Sequence, residues 1–338
     1  MQTIDISSFL EQKSTYPILD TRSPAEFENG HIPGAHSFPL FQNNERTEVG
    51  TTYKQKGRKK AIKKGLSIVG PQLNEFIEKA ESFNSKTILM HCWRGGMRSQ
   101  SLAWLLDLYG FDVRVLEGGY KSYRNEMLRF FSEPVNLKIL SGATGSLKTE
   151  ILKQMKKSGA QVVDLEGHAN HMGSSFGNVM STGQPTTEQF QNDVFDDFLT
   201  LDIKQSVWIE DESFSIGKVN FPEPLFHQKQ EAKHVLIKLP RERRIQVLVD
   251  QYGELDADLL IQATHGIERS LGKENTEAAS QFIQNGQLTE AVDIILEYYD
   301  KAYAKSRKKK RDSIEETISF ASDESVSEMA ERLINLES

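Results

Sequence analysis

The sequence predicts an α/β protein of two domains, because short apolar segments that end at polar residues alternate with segments of helical periodicity. The chain has 338 residues, more than one ordinary hydrophobic core accommodates. Aliphatic and aromatic residues make up 38% and charged residues 26%, the balance of a folded globular protein. We place the boundary near residues 132–134, which gives domains 1–131 and 135–338.

Two segments of the first domain are predicted as buried strands. Residues 16–20 end at a carboxylate, and residues 86–91 end just before Cys92. Helical spacing is found between them in residues 71–80 and after them in residues 100–109. This alternation is typical of a parallel sheet covered by helices.

Cys92 lies between the second of these strands and the helix that follows it, in the segment CWRGGMRS. As the single cysteine it excludes an intramolecular disulfide and a multi-thiolate zinc site. Gly95 and Gly96 let backbone amides converge on an anion, and Arg94 and Arg98 add positive charge. We therefore predict that Cys92 is a nucleophilic thiolate in an anion-binding loop and not a buried structural cysteine.

The second domain begins with another strand and helix, predicted at residues 135–140 and 150–157. Further strands are predicted at residues 161–165, 206–209 and 234–239. Beyond Arg241 the pattern predicts helix to the end of the chain. This half is therefore also expected to be a mostly parallel sheet with helices around it, followed by a helical part.

The turn after the first strand of this domain is similar to a Walker A motif, in which backbone amides and a lysine hold phosphates. Its candidate phosphate-binding residues are Gly142, Gly145, Ser146, Lys148 and Thr149. Leu147 stands where the motif has glycine, and a bulky side chain there could obstruct the approach of phosphate to the backbone. A purely structural strand-to-helix turn is an equally good interpretation of the motif alone.

Three carboxylates follow the strand predicted at residues 206–209. Glu210, Asp211 and Glu212 would lie at the carboxyl edge of the sheet, where an acid/base or magnesium ligands are useful. His168 and His171 are interpreted as loop structure or substrate contacts, since no cysteine and no paired helical spacing accompany them. We predict no bound structural metal.

Positive charge is concentrated in two places although the net charge is −7. The first group, the basic cluster, consists of Lys54, Lys56, Arg58, Lys59, Lys60, Lys63 and Lys64. The second lies within residues 305–311. These groups favour a phosphate-rich partner, with a solvated surface as the alternative. No apolar stretch is long enough to cross a bilayer and no signal peptide is evident, so we expect a cytoplasmic protein without a membrane partner.

In combination the motifs resemble the tRNA 2-selenouridine synthase family over nearly the whole chain. Residues 20–35 and 111–120 resemble the two ends of rhodanese domains, and Asp20, Arg22 and Glu26 are predicted to brace loops by ion pairs. The segments CWRGGMRS, DLEGHANHMGSSFG, QPT and EDES follow in the family's order. The resemblance implies a rhodanese-like domain followed by a P-loop NTPase-like parallel α/β domain.

The resemblance also implies a transferase that acts in two steps on 2-thiouridine at the wobble position of tRNA. The 2-thio group is geranylated from geranyl diphosphate, and the S-geranyl group is then replaced by selenium from selenophosphate. Arg94, Gly95, Gly96 and Arg98 would bind selenophosphate beside Cys92, with a selenenylsulfide as one route. The P-loop residues would bind the diphosphate and the basic cluster would bind tRNA. No tightly bound cofactor is implied, magnesium is left open, and the selenophosphate-producing enzyme is a candidate partner.

The chain departs from the family pattern at three positions. Leu147 replaces an expected glycine, and Met172 and Phe214 replace expected arginines. Each change removes a phosphate-friendly feature, which leaves open a member with weakened geranylation. Five residues separate Cys92 from Arg98, one more than in rhodanese-type sulfurtransferases and as many as in dual-specificity phosphatases. The alternatives are thus a sulfurtransferase or cysteine-dependent phosphatase with a regulatory P-loop domain, or a non-catalytic tRNA-binding protein.

Overall fold

The computed structural model describes residues 1–171, 183–309 and 314–337, apart from the side chains of residues 305–309 and 337. It divides into two compact units, Met1–Phe130 and Phe131–Ser338. Met172 and the side chains of the second basic group lie outside the described part. Among the described helices, none combines the length and the apolar character that a membrane span requires.

The first unit is built on a parallel five-stranded sheet of order β1-β5-β4-β2-β3. Its strands are β1 (Gln2–Ile4), β2 (Ile18–Asp20), β3 (Ala35–Ser37), β4 (Thr87–His91) and β5 (Asp112–Leu116). Both strands predicted from the sequence, β2 and β4, are interior strands of this sheet. They carry continuous apolar runs because interior strands of a parallel sheet are covered on both faces.

Helices cover this sheet and continue its core. They are α1 (Ile6–Gln12), α2 (Pro24–Asn29), α3 (Asn43–Lys56), α4 (Arg58–Val69), α5 (Leu73–Glu81), α6 (Met97–Tyr109) and α7 (Gly119–Phe130). The two predicted helices are confirmed as α5 and α6. Phe76 of α5 and Leu106 of α6 join the same buried cluster as Leu19 and Met90 of the strands. Burial of this cluster holds α6, and with it the loop after β4, in a fixed position.

The second unit contains a parallel sheet of order β11-β10-β6-β7 and a small antiparallel hairpin. The sheet strands are β6 (Leu137–Gly142), β7 (Val207–Glu210), β10 (Lys233–Lys238) and β11 (Ile314–Ser319), and the hairpin strands are β8 (Ser215–Ile216) and β9 (Val219–Asn220). The strands predicted at residues 135–140, 206–209 and 234–239 are confirmed. The P-loop-like segment and the three carboxylates both follow neighbouring strands, so they meet at one edge of the sheet.

Two predictions for this unit were wrong. Residues 161–165 form only an isolated bridge between Val162 and Trp208, because Asp164 accepts the Gly167 N–H and starts a helix there. The chain is not helical to its end, since β11 pairs with β10. The sequence of β11 is IEETIS and only Ile318 is buried, so no apolar pattern marks this edge strand.

The helices of the second unit form two cores. They are α8 (Lys148–Lys157), α9 (Leu165–Ala169), α10 (Thr187–Phe198), α11 (Glu223–Glu231), α12 (Arg241–Tyr252), α13 (Ala257–Gly266), α14 (Glu268–Leu271), α15 (Lys273–Gln284), α16 (Leu288–Lys309) and α17 (Val326–Ile334). Helices α8 and α17 pack on the sheet, whereas α13–α16 bury a separate apolar cluster. The helical part therefore has its own hydrophobic core.

Candidate functional site

The sulfur of Cys92 lies at the start of the loop between β4 and α6, and the residue is 3% exposed. The Gly96 N–H donates a hydrogen bond to Sγ at 3.2 Å, and the Ser99 hydroxyl lies 3.2 Å from both Sγ and the Gly96 carbonyl oxygen. The loop thus directs hydrogen-bond donors toward the sulfur. Ser99 was not predicted from the sequence, although a hydroxyl in the first turn after the loop was a signal for it.

The glycines of the loop allow a close approach of two backbone segments. Gly95 has a φ of 62° and Gly119, after β5, has a φ of 61°. A Cβ on Gly119 would overlap the Cys92 carbonyl oxygen and come within 2.5 Å of the Gly95 nitrogen. The Tyr120 N–H also donates to that Cys92 carbonyl at 2.8 Å. Only glycine fits at these positions, so the second loop fixes the shape of the cysteine loop.

The two predicted arginines have different surroundings. Arg98 is bound by Glu26, with Nη1 at 2.6 Å from Oε2 and Nη2 at 3.3 Å from Oε1. Although burial of Glu26 acts in the opposite sense, its hydrogen bond and charge interaction with Arg98 lower the pKa of this carboxyl. Arg94 is exposed at the tip of the loop. The structure thus brings Arg94 to solvent and ties Arg98 to α2.

Asp20 and Arg22 form an ion pair that braces the cysteine loop, which is the role predicted for these two residues. Both side chains are fully buried and their ion pair is 2.6 Å long. The Arg22 guanidinium lies 3.8 Å from the centre of the Tyr120 ring. Because the Tyr120 backbone holds the Cys92 carbonyl, this buried stack supports the cysteine loop directly.

The P-loop-like residues of the second unit lie on a cavity of about 550 Å³ at the carboxyl edge of the sheet. Lys148 Nζ donates to the Gly142 carbonyl at 3.0 Å. The Ser146 hydroxyl oxygen is buried and has no hydrogen-bond partner in the described part of the chain. A lysine on the loop and a buried hydroxyl are both groups that suit the binding of an anion.

Leu147 adopts the left-handed conformation, with φ 62° and ψ 24°, at the N-cap of α8. This conformation costs a non-glycine residue roughly 1–2 kcal/mol. The side chain packs against the apolar cluster of the sheet and also lines the cavity. The loop thus keeps a conformation in which glycine would be unstrained, because packing of the leucine offsets part of the cost.

The three carboxylates at the end of β7 and just after it have separate surroundings. Glu210 is buried and accepts the Leu165 N–H at 3.0 Å, away from the cavity, and burial raises its pKa well above the ordinary value. Asp211 is held by Ser141 and Lys229, each at 2.9 Å. These two predicted acid/base candidates are therefore engaged in holding neighbouring elements together.

Glu212 lines the cavity together with Glu166. Burial, and then the charge of Glu166, raise the pKa of Glu212 to about 7, while Lys148 acts in the opposite direction. Glu166 accepts a hydrogen bond from Thr149 Oγ1 at 2.8 Å and was not identified from the sequence, although it lies in the segment DLEG that the family pattern contains. A carboxyl with a pKa near 7 is suited to general acid/base work.

The chain is similar to known proteins over most of its length. The family model of the tRNA 2-selenouridine synthase AAA domain matches residues 135–334, and that of the rhodanese-like domain matches residues 5–126. The tRNA 2-selenouridine synthase of Pseudomonas syringae pv. syringae (strain B728a) is 36% identical over 91% of this chain and 92% of the relative. The chain belongs to the tRNA 2-selenouridine synthase family.

Two further family members have comparable sequence identity to this chain and cover a comparable share of it. The tRNA 2-selenouridine synthase of Psychromonas ingrahamii is 32% identical over 88% of the chain and 90% of the relative. That of Proteus mirabilis is 32% identical over 90% of the chain and 92% of the relative. Family membership makes the chain an enzyme and confirms the predicted fold class, a rhodanese-like domain and a P-loop-like α/β domain.

The basic cluster of this family member lies on the helix pair α3 and α4. Its side chains are exposed except for that of Lys64, which is partly buried and pairs with Glu48 at 2.6 Å. Arg58 Nη2 lies 3.9 Å from Met97 Sδ, at the start of α6. The cluster therefore extends to the edge of the cysteine loop.

His168 and His171 do not line the cavity of the P-loop-like residues. His168 pairs with Asp197 at 3.2 Å and His171 is buried. Within the described ranges no three His, Cys, Asp or Glu side chains converge on one point. Phe214 lies on the cavity wall with its ring 5.1 Å from that of Phe226, so the cavity has an aromatic edge where the family pattern led us to expect an arginine.

Proposed function

We propose that this enzyme replaces the 2-thio sulfur of a wobble uridine in tRNA by selenium, through geranylation and then selenation. The observation that carries the proposal is the presence, in one family member, of a cysteine loop with donors aimed at sulfur and of a separate phosphate-loop cavity. The first suits a nucleophile, and the second suits the diphosphate of an activated donor. Family membership supplies the tRNA substrate.

In the first step the thiocarbonyl sulfur attacks C1 of geranyl diphosphate. A sulfur–carbon bond forms, and the carbon–oxygen bond breaks with its electron pair going to diphosphate. Lys148 and the amides of the loop would offset the charge on the departing group. S-alkylation makes the proton at N3 of the base acidic, and Glu212, which lines the cavity and has a pKa of about 7, would accept it.

In the second step the Cys92 thiolate attacks the phosphorus of selenophosphate. A sulfur–phosphorus bond forms, the selenium–phosphorus bond breaks, and selenium leaves as selenide. Selenide then attacks C2 of the base and expels geranylthiolate, and water hydrolyses the phosphocysteine to phosphate. This route is redox-neutral, whereas a selenenylsulfide on Cys92 would leave phosphorus reduced.

Arg94 at the loop tip and the amides of Gly95 and Gly96 would hold the selenophosphate oxygens. Arg98 would contribute by sharing its guanidinium with Glu26. In the cavity of the P-loop-like residues, magnesium would enter together with the diphosphate. Thr149 and Glu166 offer two oxygen ligands, and the phosphates would supply others.

The basic cluster would hold the tRNA backbone beside the cysteine loop. Trp93 and Met97 are 36% and 48% exposed there and give this edge an apolar surface. That surface could also receive the selenophosphate-producing enzyme, which we propose as a transient partner.

The test is mass spectrometry of nucleosides from 2-thiouridine tRNA incubated with geranyl diphosphate and selenophosphate. Wild type should give 2-selenouridine, Cys92→Ser should accumulate the geranylated nucleoside, and Lys148→Ala should give neither product. Added selenide should restore 2-selenouridine in Cys92→Ser, and phosphorus-labelled selenophosphate should label wild type alone. Absence of both products from wild type would overturn the proposal and favour a small-molecule sulfurtransferase or phosphatase.

A further inference from the structure

We infer that the hydrocarbon tail of the donor lies in an apolar recess of the helical part and that this recess limits the length of the tail. The inference rests on the proposed function, because it assigns the far end of the same donor. The recess is a void of about 40 Å³ between helices α12, α13, α15 and α16.

The recess and the phosphate cavity share a wall. Thr144 of the P-loop and Leu248, Tyr252 and Tyr299 of the helices line both. A ligand whose diphosphate lies on the loop is therefore in reach of the recess. The shared wall defines a path from an anionic site to an apolar one.

The inner wall of the recess consists of hydrocarbon side chains. Leu260, Ile283, Ala291 and Ile295 all line it and are at least nine-tenths buried. These side chains carry no hydrogen-bonding atoms, so a nucleobase placed among them would lose its hydrogen bonds to water without replacement. A hydrocarbon chain gains free energy by the same transfer. The chemistry of the two sites together points to an isoprenyl diphosphate rather than a nucleoside triphosphate.

The size of the recess limits the length of the hydrocarbon tail. One water molecule needs about 10–15 Å³ of void, so the recess of about 40 Å³ accommodates roughly three groups of that size. That is room for the branched end of a chain and not for a whole one. The isoprenyl group next to the diphosphate would lie along Leu248 and Tyr252, and the second isoprenyl group of the chain would enter the recess. A third isoprenyl unit would have no space.

Two substitutions change the recess in opposite directions. Ala291→Leu fills it and Ile295→Ala enlarges it. Ala279→Leu is a matched control, because Ala279 is fully buried in the same apolar cluster but does not line the recess. Thermal unfolding of each variant identifies any that fails to fold, and Ile295→Ala then decides alone.

The experiment measures KM for dimethylallyl, geranyl and farnesyl diphosphate during prenylation of 2-thiouridine tRNA by the full chain. Ala291→Leu should raise KM for geranyl diphosphate about tenfold and leave that for dimethylallyl diphosphate nearly unchanged. Ile295→Ala should lower KM for farnesyl diphosphate about tenfold, and Ala279→Leu should keep the wild-type order.

The outcomes separate this inference from the function on which it rests. If wild type prenylates tRNA but both recess variants keep its chain-length preference, the tail lies elsewhere and the inference is overturned. The inference is also overturned if the variants change only the affinity for ATP, because the recess would then bind a nucleobase. If wild type uses no prenyl diphosphate, the proposed function itself fails.

Discussion

Arg98, in the first turn after the cysteine loop, is held by Glu26 through two hydrogen bonds, the shorter of 2.6 Å. The two residues are 72 positions apart, and their ion pair connects α6 to α2. The guanidinium therefore orients the helix that carries Ser99, in addition to any contact with an anion. The charge of Glu26 therefore affects both the stability of the fold and the orientation of the cysteine loop.

Glu26→Gln should lower stability most near neutral pH. The pKa of Glu26 is lowered in the folded protein, so its contribution is present above the unfolded value of about 4.5 and is lost as pH falls through the folded value. Wild type should thus lose stability relative to the variant below about pH 5. Thermal unfolding at several pH values checks this, with Glu28→Gln, an exposed carboxylate of α2, as the control. Parallel curves for wild type and Glu26→Gln would contradict it.

Ser99→Ala should slow selenation by about 10–100-fold, because a hydrogen bond to a charged group contributes roughly 1.5–3 kcal/mol. Geranylation should proceed at the wild-type rate, since Ser99 lies at the cysteine loop. Single-turnover assays on geranylated tRNA measure the first rate. Ser101→Ala is the control, because that hydroxyl bonds the Met97 carbonyl and faces solvent. Equal selenation rates for both variants would remove Ser99 from the stabilisation of the thiolate.

Geranylation should rise with pH through about 7, because Glu212 acts as a base only when it is ionised and its pKa is about 7. Glu212→Gln should abolish this rise and lower the plateau by about a hundredfold. The measurement is kcat/KM for geranyl diphosphate against pH. Glu210→Gln should keep the wild-type profile, since Glu210 does not line the cavity and accepts the Leu165 N–H instead. A profile of Glu212→Gln that still rises through this range would assign the base elsewhere.

Leu147→Gly should be more stable than Leu147→Ala by about 1 kcal/mol, the reverse of the usual order in helices. Both variants lose the packing of the leucine, but alanine keeps the strain of a φ of 62°. Denaturant unfolding compares the two. Leu147→Gly should also lower KM for geranyl diphosphate, because no side chain then lines that part of the cavity. A more stable alanine variant would contradict the left-handed conformation.

Replacement of Lys59, Lys60 and Lys63 by alanine should weaken tRNA binding and reduce its salt dependence. Each lost phosphate contact lowers the slope of log K against log salt by about 1. Filter binding at several salt concentrations measures the slope. The matched control replaces Lys204, Lys273 and Lys301, exposed lysines of the second unit. Equal slopes for the two triple variants would show that the basic cluster is only a solvated surface.

The local pattern of the sequence determined the strands β2, β4, β6, β7 and β10 and the loops that follow them. Apolar runs that end at polar residues are a property of neighbouring positions, and so are the glycines and arginines around Cys92. Cys92 and Lys148 could therefore be assigned to strand-to-helix turns from the sequence alone. β11 could not be assigned in this way, because its sequence is mostly polar and its position depends on pairing with β10.

Tertiary structure decided which of the candidate groups share a site. It turned Glu210 toward Leu165, tied Arg98 to Glu26, and brought Glu166 beside Glu212. It also placed helices remote in sequence around an apolar recess next to the P-loop. These relationships join residues far apart along the chain, and a side chain's direction depends on what packs against it. Sequence thus determined the chemical groups and their loops, whereas packing decided their partners and the directions of their pKa shifts.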